Sequence, residues 1–333
     1  MAMPILIIFG VLFSQADLAF SQFMNRFVDI TISPHSIQYL VLLLFAFVAA
    51  LGFLSYIFFP KQAQSILSHE QSDVIIQPGK RIEVLVFLGL ISALFLVFIA
   101  FQITYLFGGE ANILNAGFTY SEYARRGFWE LLAVAILSLL VLLAAEKYAG
   151  VESTGSTVKR QKQFLIPALI LIVEVIVVMV SAFKRLSLYI DAYGMTMLRF
   201  YVAWFIILLF VLFVLLAVKF IQSKQEQFFA FSTLLSIAAF LIVVNLVNPD
   251  AFIMKYNMAQ YYRTGKIDIA HIEELSADAE SEKIELYQAL NGEEKTALLA
   301  LLQKQKTKLQ HDSAHWQSAN WARTRALKLL QEF

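Results

Sequence analysis

TYSEYARRGFWELL, residues 119–132, is followed by AVAILSLLVLLAA with no further charge until Glu146. Thr119 with Glu122 three residues later is a capping-box pattern, so a helix is expected to start here. Glu122, Arg126 and Glu130 then recur at i, i+4 and i+8 and share one helical face. Arg125 flanks that stripe, and Tyr120 and Tyr123 occupy a neighbouring face. A helix with ordered charges at its mouth and only hydrocarbon behind them enters a membrane.

Working outward, the rest of the chain agrees. It has 333 residues, 59% hydrophobic and 15% charged, with mean hydropathy +0.68, against about 25% charged in a soluble domain. The 26 basic and 25 acidic residues give a net charge of +1, which excludes a bulk basic footprint for nucleic acid. Cysteine is absent, so disulfides, thiolate nucleophiles and Cys-ligated zinc are excluded. The N-terminal MAMPILIIFGVLFSQADL lacks the basic region and cleavage pattern of a signal peptide and reads as a first span.

Crossing ~30 Å of hydrocarbon takes ~20 apolar residues. Seven stretches qualify: about 4–24, 37–59, 82–107, 127–146, 164–183, 198–221 and 227–248. After Asn248–Pro249 the character changes, and residues 250–333 hold 11 Lys/Arg and 12 Asp/Glu. The expected fold is all-α: a polytopic transmembrane helix bundle over 1–249 with a small soluble helical domain over 250–333. Within the tail, helices are expected over Ala251–Thr264, stopping at Gly265; over IAHIEELSADA, capped by Asp268; over Glu280–Leu290; over Glu293–Gln310; and from Ser313.

Connections 2–3, 4–5 and 6–7 hold nine Lys/Arg and connections 1–2, 3–4 and 5–6 hold six. By the positive-inside rule the N-terminus of this multi-pass membrane protein is expected to be cytoplasmic and the tail external. The connections on the tail's side are the elaborate ones, so that face is read as the working face.

Four stretches resemble one family: ADLAFS (16–21), YSEYARRGFWEL (120–131), KRLSLYIDAYGMTMLRF (184–200) and NMAQYYRTGKIDIAHIEELSADA (257–279). It is an uncharacterised bacterial family of polytopic membrane proteins, a domain of unknown function, with YARRGF, RLxLY…YGxTxxR and W-x3-N-x2-R motifs. The last corresponds to Trp316, Asn320 and Arg323 here. The resemblance covers nearly the whole chain from about residue 14 and implies a membrane fold, but it supplies no activity. Members of the family usually carry further spans upstream, so the chain is expected to be a piece of a longer protein.

The candidate functional residues are polar groups in or beside the spans. Glu174 lies at the centre of FLIPALILIVEVIVVMVSAF (164–183), where a charge costs a few kcal/mol. It reads either as a proton or cation site or as a protonated carboxyl hydrogen-bonded between helices. Asp17 sits among Ser14, Gln15, Ser21 and Gln22, as a shallow polar pocket or as the end of the first span. Glu122, Tyr123, Arg125, Arg126 and Glu130 are either an anion clamp or an intrahelical charge ladder. Asp191 and Arg199 flank the 5–6 connection, where Gly194 permits a turn and Thr196 can cap the next span. Arg199, one turn into the bilayer, is expected to pair with Glu130, Asp191 or Asp17.

In the tail, Tyr261, Tyr262, Trp316 and Trp321 are candidate partner-binding aromatics. His311 and His315 have a helical metal spacing but no third ligand, so no metal and no cofactor is expected. HExxH, P-loop, GxGxxG and GxSxG motifs are absent. The reading is a non-enzymatic envelope protein, set in the lipid bilayer, whose outer loops and tail bind or regulate a protein partner. The alternative is an ion-coupled transporter or lipid-handling membrane enzyme using Glu174 and the Arg cluster.

Overall fold

The computed structural model describes residues 2–25, 78–105, 127–149, 158–222, 226–265, 267–312 and 320–332. Described residues form helices joined by short turns, with no strand among them. The fold is an all-α helical bundle, and five of its helices are long and apolar enough to cross a membrane. The helices are α1 Ala2–Ala16, α2 Leu18–Asn25, α3 Pro78–Tyr105, α4 Phe128–Ala149, α5 Val158–Tyr193, α6 Met197–Gln222 and α7 Glu226–Leu246. The more polar helices that follow are α8 Pro249–Thr264, α9 Ile269–Glu273, a 3-10 turn Ala277–Ala279, α10 Glu280–Ala289, α11 Gly292–Asp312 and α12 Trp321–Glu332. The expected span at 37–59 lies outside the described residues.

The chain divides into two compact units, with the division inside α5 between Val175 and Ile176. In the first unit, α1 and α2 pack on α3 through phenylalanines. Phe13 stacks on Phe98 with centroids 4.0 Å apart, and Phe9 and Phe20 meet Phe95 and Phe98 edge-on at 5.3 and 5.4 Å. Lipid is as apolar as these rings, so burial alone cannot fix how membrane helices are rotated; polar links do that. Here α3 supplies three. Glu83 accepts from the Tyr148 hydroxyl of α4 at 3.1 Å, Ser92 meets Glu174 of α5, and Gln102 reaches Asp17.

The stretch expected to be the first span is not one continuous helix, because Asp17 ends α1 and begins α2; α1 is apolar but is not among the five helices of crossing length. Its Oδ1 accepts from the backbone N–H groups of Ala19 (2.9 Å) and Phe20 (3.1 Å), as an N-cap does. A second break falls at Gly127, whose φ of 92° is left-handed. A right-handed helix cannot pass through that value, so α4 starts at Phe128. The single helix expected from Thr119 through the membrane is therefore corrected: Gly127 parts Glu130 from the residues before it.

In the second unit α6 buries Phe200, Ile206, Leu209, Phe213 and Leu216, and α7 packs beside it. The polar helices build their own core from Ile253, Met254, Leu286, Leu298, Leu302, Ala326 and Leu330. Gly265 stops α8 at φ 68°, and Asp268 caps α9 through Ala270 N–H at 3.0 Å. The single helix expected over IAHIEELSADA is two pieces. Ser276 caps the 3-10 turn through Asp278 N–H, and its hydroxyl is held by Asp250 at 2.6 Å.

Buried among these helices is Lys283, whose Nζ donates to Leu275 O (3.0 Å), Glu280 Oε1 (2.9 Å) and Gln305 Oε1 (3.3 Å). All three donor positions of the ammonium are used. Burial pushes the Glu280 carboxyl above its ordinary value, and Lys283 only partly opposes that.

Candidate functional site

The most developed polar site of the second unit is the turn between α5 and α6, where the sequence singled out Asp191 and Arg199. Gly194 takes φ 79° and its N–H closes α5 onto Ile190 O at 2.8 Å. A left-handed glycine in that position is the usual C-terminal stop of a helix. Thr196 then accepts from Arg199 N–H at 3.5 Å, opening α6.

Arg199 turns back over this stop. Its Nη1 donates to Tyr193 O at 3.1 Å and to Gly194 O, covering carbonyls that α5 leaves unpaired. The guanidinium lies 4.0 Å from the Tyr189 ring centroid and 6.0 Å from that of Tyr193, a cation–π arrangement. The expected carboxylate partner is not what it meets: its described contacts are carbonyls and tyrosine rings. A planar guanidinium suits both at once, as a fork to the carbonyls and a plate on the ring.

Helix α8 clasps the same turn from 62 residues away. Asn257 Oδ1 accepts from Met195 N–H at 2.7 Å, and its Nδ2 donates to Met195 O at 2.8 Å. One side-chain amide thus pairs with both backbone groups of Met195, as a neighbouring strand would. Gln260 Nε2 donates to Asp191 O at 2.6 Å and the Tyr256 hydroxyl donates to Asp191 Oδ1 at 3.0 Å. Burial, then the bond to Asp191 and its charge, push the Tyr256 phenol above its ordinary value. Phe252 packs 5.5 Å from Phe200, closing the apolar side of the joint.

Beside the clasp is an open cavity of about 470 Å3, with Asp191, Asn257, Gln260, Asp268 and His271 among its lining residues. It offers acceptors to a polar ligand. Among the described residues no group of three or more metal-ligating side chains converges.

Both Asp17 and Glu174 belong to the first unit. Asp17 is buried, and besides its two capping bonds its Oδ2 accepts from Gln102 Nε2 at 3.0 Å. Glu174 is buried as well, and the Ser92 hydroxyl donates to it, 2.7 and 2.8 Å from its two oxygens. Glu130 lies in the first turn of α4. Glu122, Tyr123, Arg125, Arg126, Trp316 and His315 lie outside the described residues. Of the tail aromatics, Tyr262 and Trp321 are well exposed, with Tyr261 half-buried 6.0 Å from Tyr262.

Sequence reasoning missed Asn257 and Gln260, though both fall in the NMAQYYRTG stretch that carried the resemblance. A polar pair on a helix that begins at Asn248–Pro249 was the available signal.

Residues 1–286 match the family described as Domain of unknown function (DUF4153). The chain belongs to the DUF4153 family. The DUF4153 match takes in both sides of the clasp, the α5–α6 turn and α8. No curated protein and no solved structure matches the chain.

Proposed function

We propose that this DUF4153 chain is a non-enzymatic protein of the bacterial inner membrane. Residues 1–249 form its membrane bundle, and residues 250–333 form a fixed platform that docks a protein partner. What supports this reading is the Asn257 clasp: two bonds to Met195 make α8 a continuation of the α5–α6 turn rather than a tether. A platform held that way loses little freedom when a partner lands on it. Tyr262 and Trp321 are the aromatics it offers, of a kind enriched at binding hot spots.

The test is co-purification of the full chain from native membranes, beside the double variant Tyr262→Ala, Trp321→Ala. A partner recovered in proportion to the wild-type chain and lost from the variant is expected. Identical recoveries from both proteins would overturn the platform.

The second reading, an ion-coupled transporter, draws on Glu174 and its hydroxyl partner Ser92. Proteoliposomes in which Glu174→Gln abolishes a pH change seen with the wild type would favour it. Equal traces from the two would remove it.

A further inference from the structure

Helix α10 passes into α11 through Leu290 and Asn291 alone, and the residue after them is a glycine. Leu290 is fully buried, whereas Asn291 is exposed. Gly292 is the first residue of α11 and takes a left-handed φ of 65°. The first amide of a helix has no carbonyl one turn earlier to bond, so α11 itself leaves the Gly292 N–H without an intrahelical partner. Beyond its own helix and chain neighbours, a Cβ placed on Gly292 would meet no atom within 4 Å. The side-chain amide of Asn291 and the nitrogen that follows it thus stand on an uncrowded surface.

Other asparagines are placed differently. Asn248 caps α8 through Ala251 N–H and precedes Pro249, which has no N–H to lose. Asn257 is held at both ends of its amide by Met195. Asn320 Oδ1 accepts from Ala322 N–H at 2.9 Å, and Asn245 Nδ2 donates to Leu241 O at 2.7 Å. In the whole sequence Asn291 alone is followed by glycine, and glycine has no Cβ to hinder the backbone nitrogen from turning onto the preceding side chain.

We propose that Asn291–Gly292 is a site of spontaneous covalent ageing, where asparagine becomes aspartate or isoaspartate and the second product loosens the α10–α11 joint. The Gly292 nitrogen gives its proton to hydroxide and attacks Asn291 Cγ. A new N–Cγ bond closes a succinimide ring, the Cγ–Nδ2 bond breaks, and the amide nitrogen takes a proton from water and leaves as ammonia. Water then opens the ring. Cleavage of the bond to Cγ gives aspartate, and cleavage of the bond to the main-chain carbonyl carbon gives isoaspartate. One water enters and one ammonia leaves, with no oxidation. Aspartate leaves the main chain unchanged and puts a carboxylate before the first turn of α11, where the helix dipole favours it. Isoaspartate routes the main chain through Cβ and Cγ and lengthens it by a methylene. That extra length falls beside buried Leu290, in the connection that sets α10 against α11, across which Lys283 Nζ donates to Gln305 Oε1 at 3.3 Å.

The test ages the full purified chain in detergent under warm, mildly alkaline conditions, beside fresh protein. Peptide mass spectrometry locates the conversion, electron-transfer fragmentation separates isoaspartate from aspartate, and methylation by an isoaspartyl methyltransferase counts the isoaspartate. Asn291 is expected to convert ahead of Asn245, Asn257 and Asn320, faster as pH rises because the attacking nitrogen must lose its proton. The thermal unfolding midpoint should fall as isoaspartate accumulates. Asn291→Gln, whose longer side chain would need a larger ring, is expected to lose the methyl acceptance and to keep its midpoint through ageing. Asn291→Ser, which has no side-chain carbonyl, serves the same purpose if the glutamine variant does not fold. An aged wild type with Asn291 intact, methyl acceptance that persists in both variants, or converted protein that melts with the fresh sample would each overturn the proposal.

Discussion

Asn257 carries a joint that would otherwise need a stretch of backbone, and its loss should be felt accordingly. Asn257→Ala strands the N–H and C=O of Met195 together and should cost about 2–3 kcal/mol, read as a fall in the thermal unfolding midpoint in detergent. Asn257→Asp keeps the acceptor for Met195 N–H and should fall between the two. Gly194→Ala attacks the same place through the backbone. Its φ of 79° is left-handed, and a Cβ would lie 3.1 Å from Asn257 Oδ1. About 1–2 kcal/mol is expected from the backbone conformation alone, with the clasp loosened besides. Glu280 gives a prediction in pH. Its folded pKa is raised, so its contribution to stability is full below the unfolded value near 4.5 and is lost as pH rises through the folded value. Chemical denaturation of the wild type should therefore show stability declining above pH 4.5, and Glu280→Gln should remove that decline.

At the scale of elements, α6 and α7 were legible from the sequence almost to the residue, because an uninterrupted apolar run between charged ends leaves few other options. The breaks were not. Asp17 stands in an apolar run that scores as one span, and nothing local says that its carboxylate will cap α2 instead of waiting for a ligand. Gly127 sits where a charge ladder appeared to continue; glycine inside a helix and glycine ending one look alike in sequence. Ser276 split a tail helix for want of a visible partner, since Asp250 is 26 residues away. The α5–α6 site was half legible. Gly194 and Thr196 are local turn chemistry, whereas the use of Arg199 on tyrosine rings and carbonyls depends on how the chain folds back. The Asp17 account makes a prediction of its own. Asp17→Asn should keep the capping bonds and the yield of folded protein, while Asp17→Ala, which also removes the acceptor of Gln102 Nε2, should destabilise by about 2 kcal/mol. Thermal melts of both variants decide it, and equal losses would argue that the charge matters and the cap does not.

For the whole molecule, the charge pattern sets an expected sidedness. The nine-to-six Lys/Arg bias predicts an external tail, and the absence of cysteine makes the test clean. A single cysteine at the exposed Tyr262 should react with a membrane-impermeant maleimide in intact spheroplasts. Labelling only after lysis would invert the topology and put the tail in the cytoplasm. On either side, the way α8 is fastened has a mechanical meaning. Asn257, Gln260 and Tyr256 grip the corner where one membrane helix ends and the next begins, with Arg199 stiffening the corner from within. A load placed on α8 cannot be absorbed by a slack linker; it arrives at the ends of α5 and α6 as torque. The corner is a wrist, and whatever takes hold of the tail takes hold of two helices inside the membrane.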